Sequence, residues 1–139
     1  MGLVFYDTET TGTSAAFDQI LQFAAVFTDD QLIELDRFEI RCRLLSYIVP
    51  SPAAMLVSRT AASDLTDENR PSHYEMVKEI REKLLSWSPA TFVGFNSIGF
   101  DENLLRQAFY KTLHPVYLTN TGGNARCDAS CPRGVDVCA

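Results

Sequence analysis

Residues 3–12 read LVFYDTETTG, a short apolar run followed by polar residues. Such a run predicts a buried β-strand over residues 3–6, ended by a polar turn over residues 7–14. Asp7 and Glu9 are two residues apart, so in extended backbone both carboxylates point to the same side. Two like charges in this arrangement repel each other unless a cation lies between them. Oxygen ligands without nearby His or Cys suit Mg²⁺ or Mn²⁺ better than zinc.

This pair of acids also has an ordinary explanation, a turn-forming Asp and a solvated Glu. Asp101 shifts the balance, because it lies three and four residues before Leu104 and Leu105, on the apolar side of a predicted helix. A carboxylate in that position is costly unless something pairs with it. The helix dipole would explain its place in the first turn but not the side it faces. A metal shared with Asp7 and Glu9 explains both.

The rest of the chain predicts an alternation of strands and helices. One clear signal is a strand with charged residues on alternate positions, Arg37, Glu39, Arg41 and Arg43. Another is a Ser72–Glu75 capping box before a helix. The predicted elements are strands over 3–6, 20–28, about 32–44 and 91–95, a loop-rich connector over 50–71, a helix behind residue 72 that is stopped by Pro89, and a helix over 101–113. This order, a three-strand meander followed by helix, strand and helix, predicts an α/β domain with a mixed sheet.

Composition narrows the functional class. The 139 residues carry 12 basic and 18 acidic side chains, a net charge of −6, which argues against a nucleic-acid grip through a broad basic surface. No apolar stretch approaches the length of a membrane span and no secretion signal is recognised, so we expect a cytoplasmic protein. Three of the four cysteines fall in the last thirteen residues without the paired spacing of a zinc site. We expect free thiols.

Two segments of the chain together resemble a known family. Residues 5–12 (FYDTETTG) look like the first motif of the DEDD-type (DnaQ-like) 3′→5′ exonucleases, and residues 95–101 (FNSIGFD) look like the second. Residues 17–25, 101–110 and 117–128 are similar to the bacterial exodeoxyribonuclease I branch of that family. The resemblance covers about residues 3–128.

The resemblance implies a ribonuclease H-like fold and stepwise hydrolysis of single-stranded DNA from its 3′ end, with a role in DNA repair. In the family, two Mg²⁺ or Mn²⁺ ions about 3.5–4 Å apart do this chemistry. By that analogy Asp7, Glu9 and Asp101 are the catalytic metal ligands. The residues expected beside the terminal nucleotide are Thr8, Thr11, Gly12, Phe17 and Asn96. Phe17 would stack on a base, although an apolar residue there is also a candidate for the core. The implied partners are a DNA 3′ end and a single-stranded-DNA-binding protein, with no membrane.

One part of the family pattern is missing. The third motif supplies a fourth Asp with a general-base His five residues before it, and neither His73 nor His114 is followed by an Asp at that distance. We therefore expect residues 1–128 to form a C-terminally incomplete exonuclease domain with low or no activity, and residues 129–139 to be an irregular, disordered tail. Two alternatives stay open: a non-catalytic remnant that binds nucleic acid or a partner, and a related 3′→5′ exoribonuclease.

Overall fold

The computed structural model describes residues 2–95, 99–116 and 124–127. The strands are β1 (Gly2–Thr10), β2 (Ile20–Thr28), β3 (Glu34–Arg41), β4 (Ala90–Phe95) and β5 (Asn124–Cys127), and the helices are α1 (Pro52–Ser58), α2 (Ala62–Leu65), α3 (His73–Ser86) and α4 (Asp101–Lys111). The described strands form one sheet in the order β3-β2-β1-β4-β5. Strands β1, β2 and β3 pair antiparallel, β4 pairs parallel with β1, and β5 pairs parallel with β4. The predicted α/β class with a mixed sheet is confirmed.

Strand β1 is longer than its apolar run. It continues to Thr10, and Asp7 and Glu9 are paired with Ala24 and Gln22 of β2. The prediction of a polar turn beginning at Asp7 was therefore wrong, and the turn begins after Thr10. The backbone of β2 forms hydrogen bonds with β1 along the whole strand. A charged residue on the open face of a sheet stays in contact with water, so its desolvation cost is small. Pairing with a neighbour decides the length of this strand.

The connector over 50–71 contains two short helices rather than only loops. Helix α1 begins at Pro52 behind Ser51, and α2 covers Ala62–Leu65. Proline is favoured at the first position of a helix because its fixed φ is already helical and its missing N–H would be unpaired there. Helix α1 buries none of its residues. Pro52 is therefore the local sequence feature that favours helix α1. Because α1 has no buried face, hydrophobic periodicity could not have predicted this helix.

Helices α3 and α4 cover one face of the sheet. The predicted capping box of α3 is present, with Ser72 Oγ accepting from the N–H of Glu75 and the Glu75 carboxylate accepting from the N–H of Ser72. The shared core contains Val4, Tyr6, Phe23, Phe92, Met76, Val77, Ile80, Leu84, Leu104, Leu105, Ala108 and Phe109. Each large apolar side chain buried there stabilises the fold by about 1.5–3 kcal/mol. This core fixes α4 against β1.

The other face of the sheet stays open in the part of the chain that is described. Side chains alternate along β1, so that Tyr6 and Thr8 are buried on the helix side while Phe5 and Asp7 are exposed, Phe5 to 38%. The predicted alternation of β3 is also observed, and its outward Arg37 forms an ion pair with Glu34 at 2.8 Å.

Among the described residues, every helix is too short or too polar to span a bilayer.

Candidate functional site

Asp7 and Glu9 lie on the open side of β1, near the end of the strand. Asp7 is exposed and Glu9 is half-buried. Partial burial raises the pKa of Glu9, and the negative charges of Asp7 and Asp101 raise it further, against the opposing effect of Arg41. Burial is the largest cause of this raised pKa, and the like charges of the two aspartates add to it.

Asp101 is the first residue of α4 and is only 4% exposed. Burial raises the pKa of its carboxyl, the hydrogen bond from Thr8 lowers it, and the charge of Asp7 raises it again. The hydroxyl of Thr8 donates to Asp101 Oδ1. Asp101 is more than ninety residues from Asp7 and Glu9 along the chain. Even so, the charge of Asp7 acts on Asp101, and the charge of Asp101 acts on Glu9.

The side chain of Thr8 holds the carboxylate of Asp101 and is too buried to contact a ligand. Its side chain is buried on the helix side of β1, and its hydroxyl is engaged with the carboxylate. The contact between Thr8 and a nucleotide stays a prediction, and the side chain of Thr8 is engaged with Asp101.

A second buried acid, Glu102, fastens the start of α4 to β1. It is 2% exposed, accepts a hydrogen bond from Tyr6 Oη at 3.2 Å, and forms an ion pair with Arg106 at 3.0 Å. Tyr6 and Thr8 are two residues apart on the inner side of β1, and Glu102 and Asp101 are adjacent on α4. The two bonds together fix the direction in which Asp101 faces. Glu102 was not predicted from the sequence. The signal that could have indicated it is the presence of two adjacent acids, Asp101 and Glu102, in the first turn of α4.

The turn after β1 is tightly closed. Thr11 is buried, its hydroxyl donates to Asp18 Oδ1 at 2.8 Å, and its N–H donates to the carbonyl of Gln19 at 3.0 Å. Thr11 therefore shapes the turn, and its polar groups are engaged within the chain. Gly12 is packed against Asp18, and Phe17 is 80% exposed. Phe17 is thus not a core residue, the alternative that its apolar side chain had left open.

Asn96 and the tail over 129–139 lie outside the described residues. Within residues 2–95, 99–116 and 124–127, no group of three or more His, Cys, Asp or Glu side chains is already spaced to hold a metal ion. The chemistry of Asp7, Glu9 and Asp101 nevertheless fits a hard divalent cation, because all their donors are oxygens and two of the three carboxyls have raised pKa values. A cation would relieve that repulsion.

Comparison with known proteins gives concordant results. The family described as Exonuclease (RNase_T) matches residues 4–124. The chain is 31% identical over 127 residues to exodeoxyribonuclease I of Buchnera aphidicola subsp. Acyrthosiphon pisum, an alignment that covers 90% of this chain and 30% of that protein.

Solved structures share the fold, two of them exonuclease I complexes. Exonuclease I of E. coli in complex with a dA16 oligonucleotide matches with a TM-score of 0.81 at 24% identity, over 91% of this chain and 28% of that one. An ExoI/SSB-Ct complex matches with a TM-score of 0.81 at 23% identity, again over 91% and 28%. The likeness confirms the expected ribonuclease H-like fold. The chain spans less than a third of the length of each of these proteins.

Proposed function

The chain belongs to the Exonuclease (RNase_T) family, and from that premise we propose that it is a 3′→5′ exonuclease domain acting on single-stranded DNA. The observation that carries the proposal is the hydrogen bond from Thr8 to Asp101, because Thr8 is the residue between Asp7 and Glu9 on β1. Asp7 and Glu9 come from one strand and Asp101 from a helix that follows another, so their approach is a product of the fold. The sequence similarity to exodeoxyribonuclease I supports DNA as the substrate.

In this proposal Asp7, Glu9 and Asp101 hold Mg²⁺ or Mn²⁺, with two ions in the complete family site. When bound, such ions activate a water molecule and stabilise the charge on the leaving 3′ oxygen. The chain's own residues hold the ligands in place. Pairing of β1 with β2 fixes Asp7 and Glu9, while the hydrogen bond from Thr8 fixes Asp101. The exposed side chain of Asp7 has the freedom to turn toward a cation.

The proposed substrate surface lies beside these acids. Phe17 is exposed on the turn that follows Glu9, and stacking of a base on an aromatic ring contributes about 1–3 kcal/mol. Gly12 lets the backbone come close to a terminal sugar or phosphate, and Asn96 is proposed to contact the same nucleotide. The net charge of −6 fits recognition of one strand end better than a long electrostatic contact.

We expect this chain to have low or no hydrolytic activity, because residues matching the third family motif are absent from its sequence. The test is incubation with a 5′-labelled single-stranded oligonucleotide and Mg²⁺ or Mn²⁺, followed by separation of the products by length. Slow shortening from the 3′ end that disappears in Asp7→Ala supports the proposal. Rapid hydrolysis that survives this substitution contradicts it.

The missing motif also favours a second candidate, a non-catalytic remnant that binds nucleic acid or a partner. Micromolar binding of the same oligonucleotide without any shortening would support it. Competition between RNA and DNA oligonucleotides for the chain distinguishes these two candidates from the exoribonuclease alternative, because an exoribonuclease should prefer the RNA oligonucleotide. We further propose a cytoplasmic location and contact with a single-stranded-DNA-binding protein, the latter supported by the fold match to the ExoI/SSB-Ct complex.

A further inference from the structure

Asp18 closes the turn between β1 and β2. Its Oδ1 accepts a hydrogen bond from the hydroxyl of Thr11 and its Oδ2 accepts one from the N–H of Ser14, both at 2.8 Å. The N–H of Asp18 donates in return to the carbonyl of Ser14, also at 2.8 Å. One carboxylate thus joins the beginning, the middle and the end of residues 11–18, which we call the β1–β2 turn.

Asp18 also explains why residue 12 is a glycine. A Cβ added to Gly12 would lie 2.5 Å from Oδ2 and 2.7 Å from Oδ1 of Asp18. Such distances are too short for any non-bonded contact, so a side chain at position 12 would force the carboxylate or the turn to move. Gly12 and Asp18 are therefore sterically coupled.

The β1–β2 turn is fixed from outside as well. Lys111, in the last turn of α4, donates from Nζ to the carbonyl of Ala16 at 2.9 Å. At the other end, the N–H of Ser51 donates to the carbonyl of Thr11 at 2.7 Å. The turn is consequently held by its own Asp18 and by two other parts of the chain. Phe17, next to Asp18, is the large apolar side chain of this turn that is exposed to solvent.

We propose that Asp18 is a positioning residue for the DNA end: it holds the β1–β2 turn so that Phe17 and the backbone at Gly12 face the terminal nucleotide beside Asp7 and Glu9. This inference rests on the proposed function. A surface that is ordered before binding does not lose conformational freedom when the ligand arrives, so Asp18 should act on affinity as well as on stability.

The test is a fluorescence anisotropy titration of the full chain with a 5′-fluorescein single-stranded deoxyoligonucleotide in Ca²⁺, alongside thermal unfolding of each variant. Asp18→Ala should weaken binding roughly tenfold, and Asp18→Asn, which keeps the volume and one acceptor, should recover part of that loss. Asp29→Ala is the matched control. Asp29 Oδ1 accepts from the N–H groups of Gln31 and Ile33, both at 2.9 Å, in the turn at the other end of β2. The Asp29→Ala variant should have a lower melting temperature, and its affinity for the oligonucleotide should change by no more than about twofold.

A double-mutant cycle makes the test specific. Gly12→Ala should weaken binding in the wild-type background, but have little further effect in Asp18→Ala, where the colliding carboxylate is gone. Equal affinity of wild type and Asp18→Ala, or additive effects of the two changes, would overturn the inference while leaving the proposed function intact. Failure of the wild-type chain itself to bind the oligonucleotide would overturn both.

Discussion

The hydroxyl of Thr8 donates a hydrogen bond that offsets the cost of burying Asp101, whose pKa the charge of Asp7 also raises. Thr8→Val keeps the shape of the side chain and removes its donor. Because hydrogen bonds to charged groups are worth about 1.5–3 kcal/mol, we expect a loss of that size in the free energy of unfolding at neutral pH. Urea denaturation measures it. The loss should shrink when Asp101 is replaced by Asn, and an equal loss in both backgrounds would show that Thr8 does not act through the charge of Asp101.

The residues found from the sequence alone share a local signal. Asp7 and Glu9 followed from the two-residue period of a strand, and the burial of Asp101 followed from its spacing to Leu104 and Leu105. Glu102 has its partner Tyr6 at a separation of 96 residues, so no local pattern could reveal it. Buried polar pairs of this kind become visible only when the strand and the helix are placed against each other.

The secondary-structure elements show the same division. The start of α3 was predictable because a capping box is written in four adjacent residues, Ser72–Glu75. The length of β1 was not, since strand pairing with β2 carried it through Asp7 and Glu9. The faces of α4 were predictable from helical spacing, and they placed Asp101 on the correct side. Tertiary pairing explains what the local signals missed.

Helix α3 carries a pH-sensitive contact at its first residue. His73 is 4% exposed, and burial, together with Lys111, lowers its pKa to about 4. Asp18 and Tyr47 line the same cavity as His73 and Lys111. The pKa of His73 in the folded state lies below its usual value of 6.5. The stability contributed by neutral His73 is therefore fully present above pH 6.5, and it is lost as the pH falls from 6.5 toward 4.

We therefore expect the free energy of unfolding to fall by up to about 3 kcal/mol between pH 6.5 and 4 through this residue. In His73→Phe, much of that fall should be absent. The measurement is urea denaturation at a series of pH values. His114→Phe serves as the control, because His114 is half-buried and stacked on Tyr74, and this variant should keep the acid sensitivity. The same pH profile in wild type and His73→Phe would refute this assignment.

The whole molecule is acidic, and its outward cations on β3 are already paired. Arg37 lies 2.8 Å from Glu34, and Arg41 lies 3.5 Å from Glu39. Each phosphate neutralised by a protein cation steepens the salt dependence of binding. The net charge of −6 and the ion pairs of these arginines favour few such contacts. We expect the affinity for a single-stranded oligonucleotide to fall less than about tenfold between 50 and 200 mM salt. A loss of a thousandfold would indicate a broad electrostatic contact instead.

The proposed exonuclease function depends first on the proposed convergence of Asp7, Glu9 and Asp101 on a divalent cation. Isothermal titration calorimetry with Mn²⁺ tests it directly, using the wild-type chain, Asp7→Asn, Asp101→Asn and the exposed control Asp30→Asn. We expect the wild type and Asp30→Asn to bind Mn²⁺ alike, and Asp7→Asn and Asp101→Asn each to bind at least about tenfold more weakly. Undiminished Mn²⁺ binding by Asp101→Asn would contradict the three-acid site.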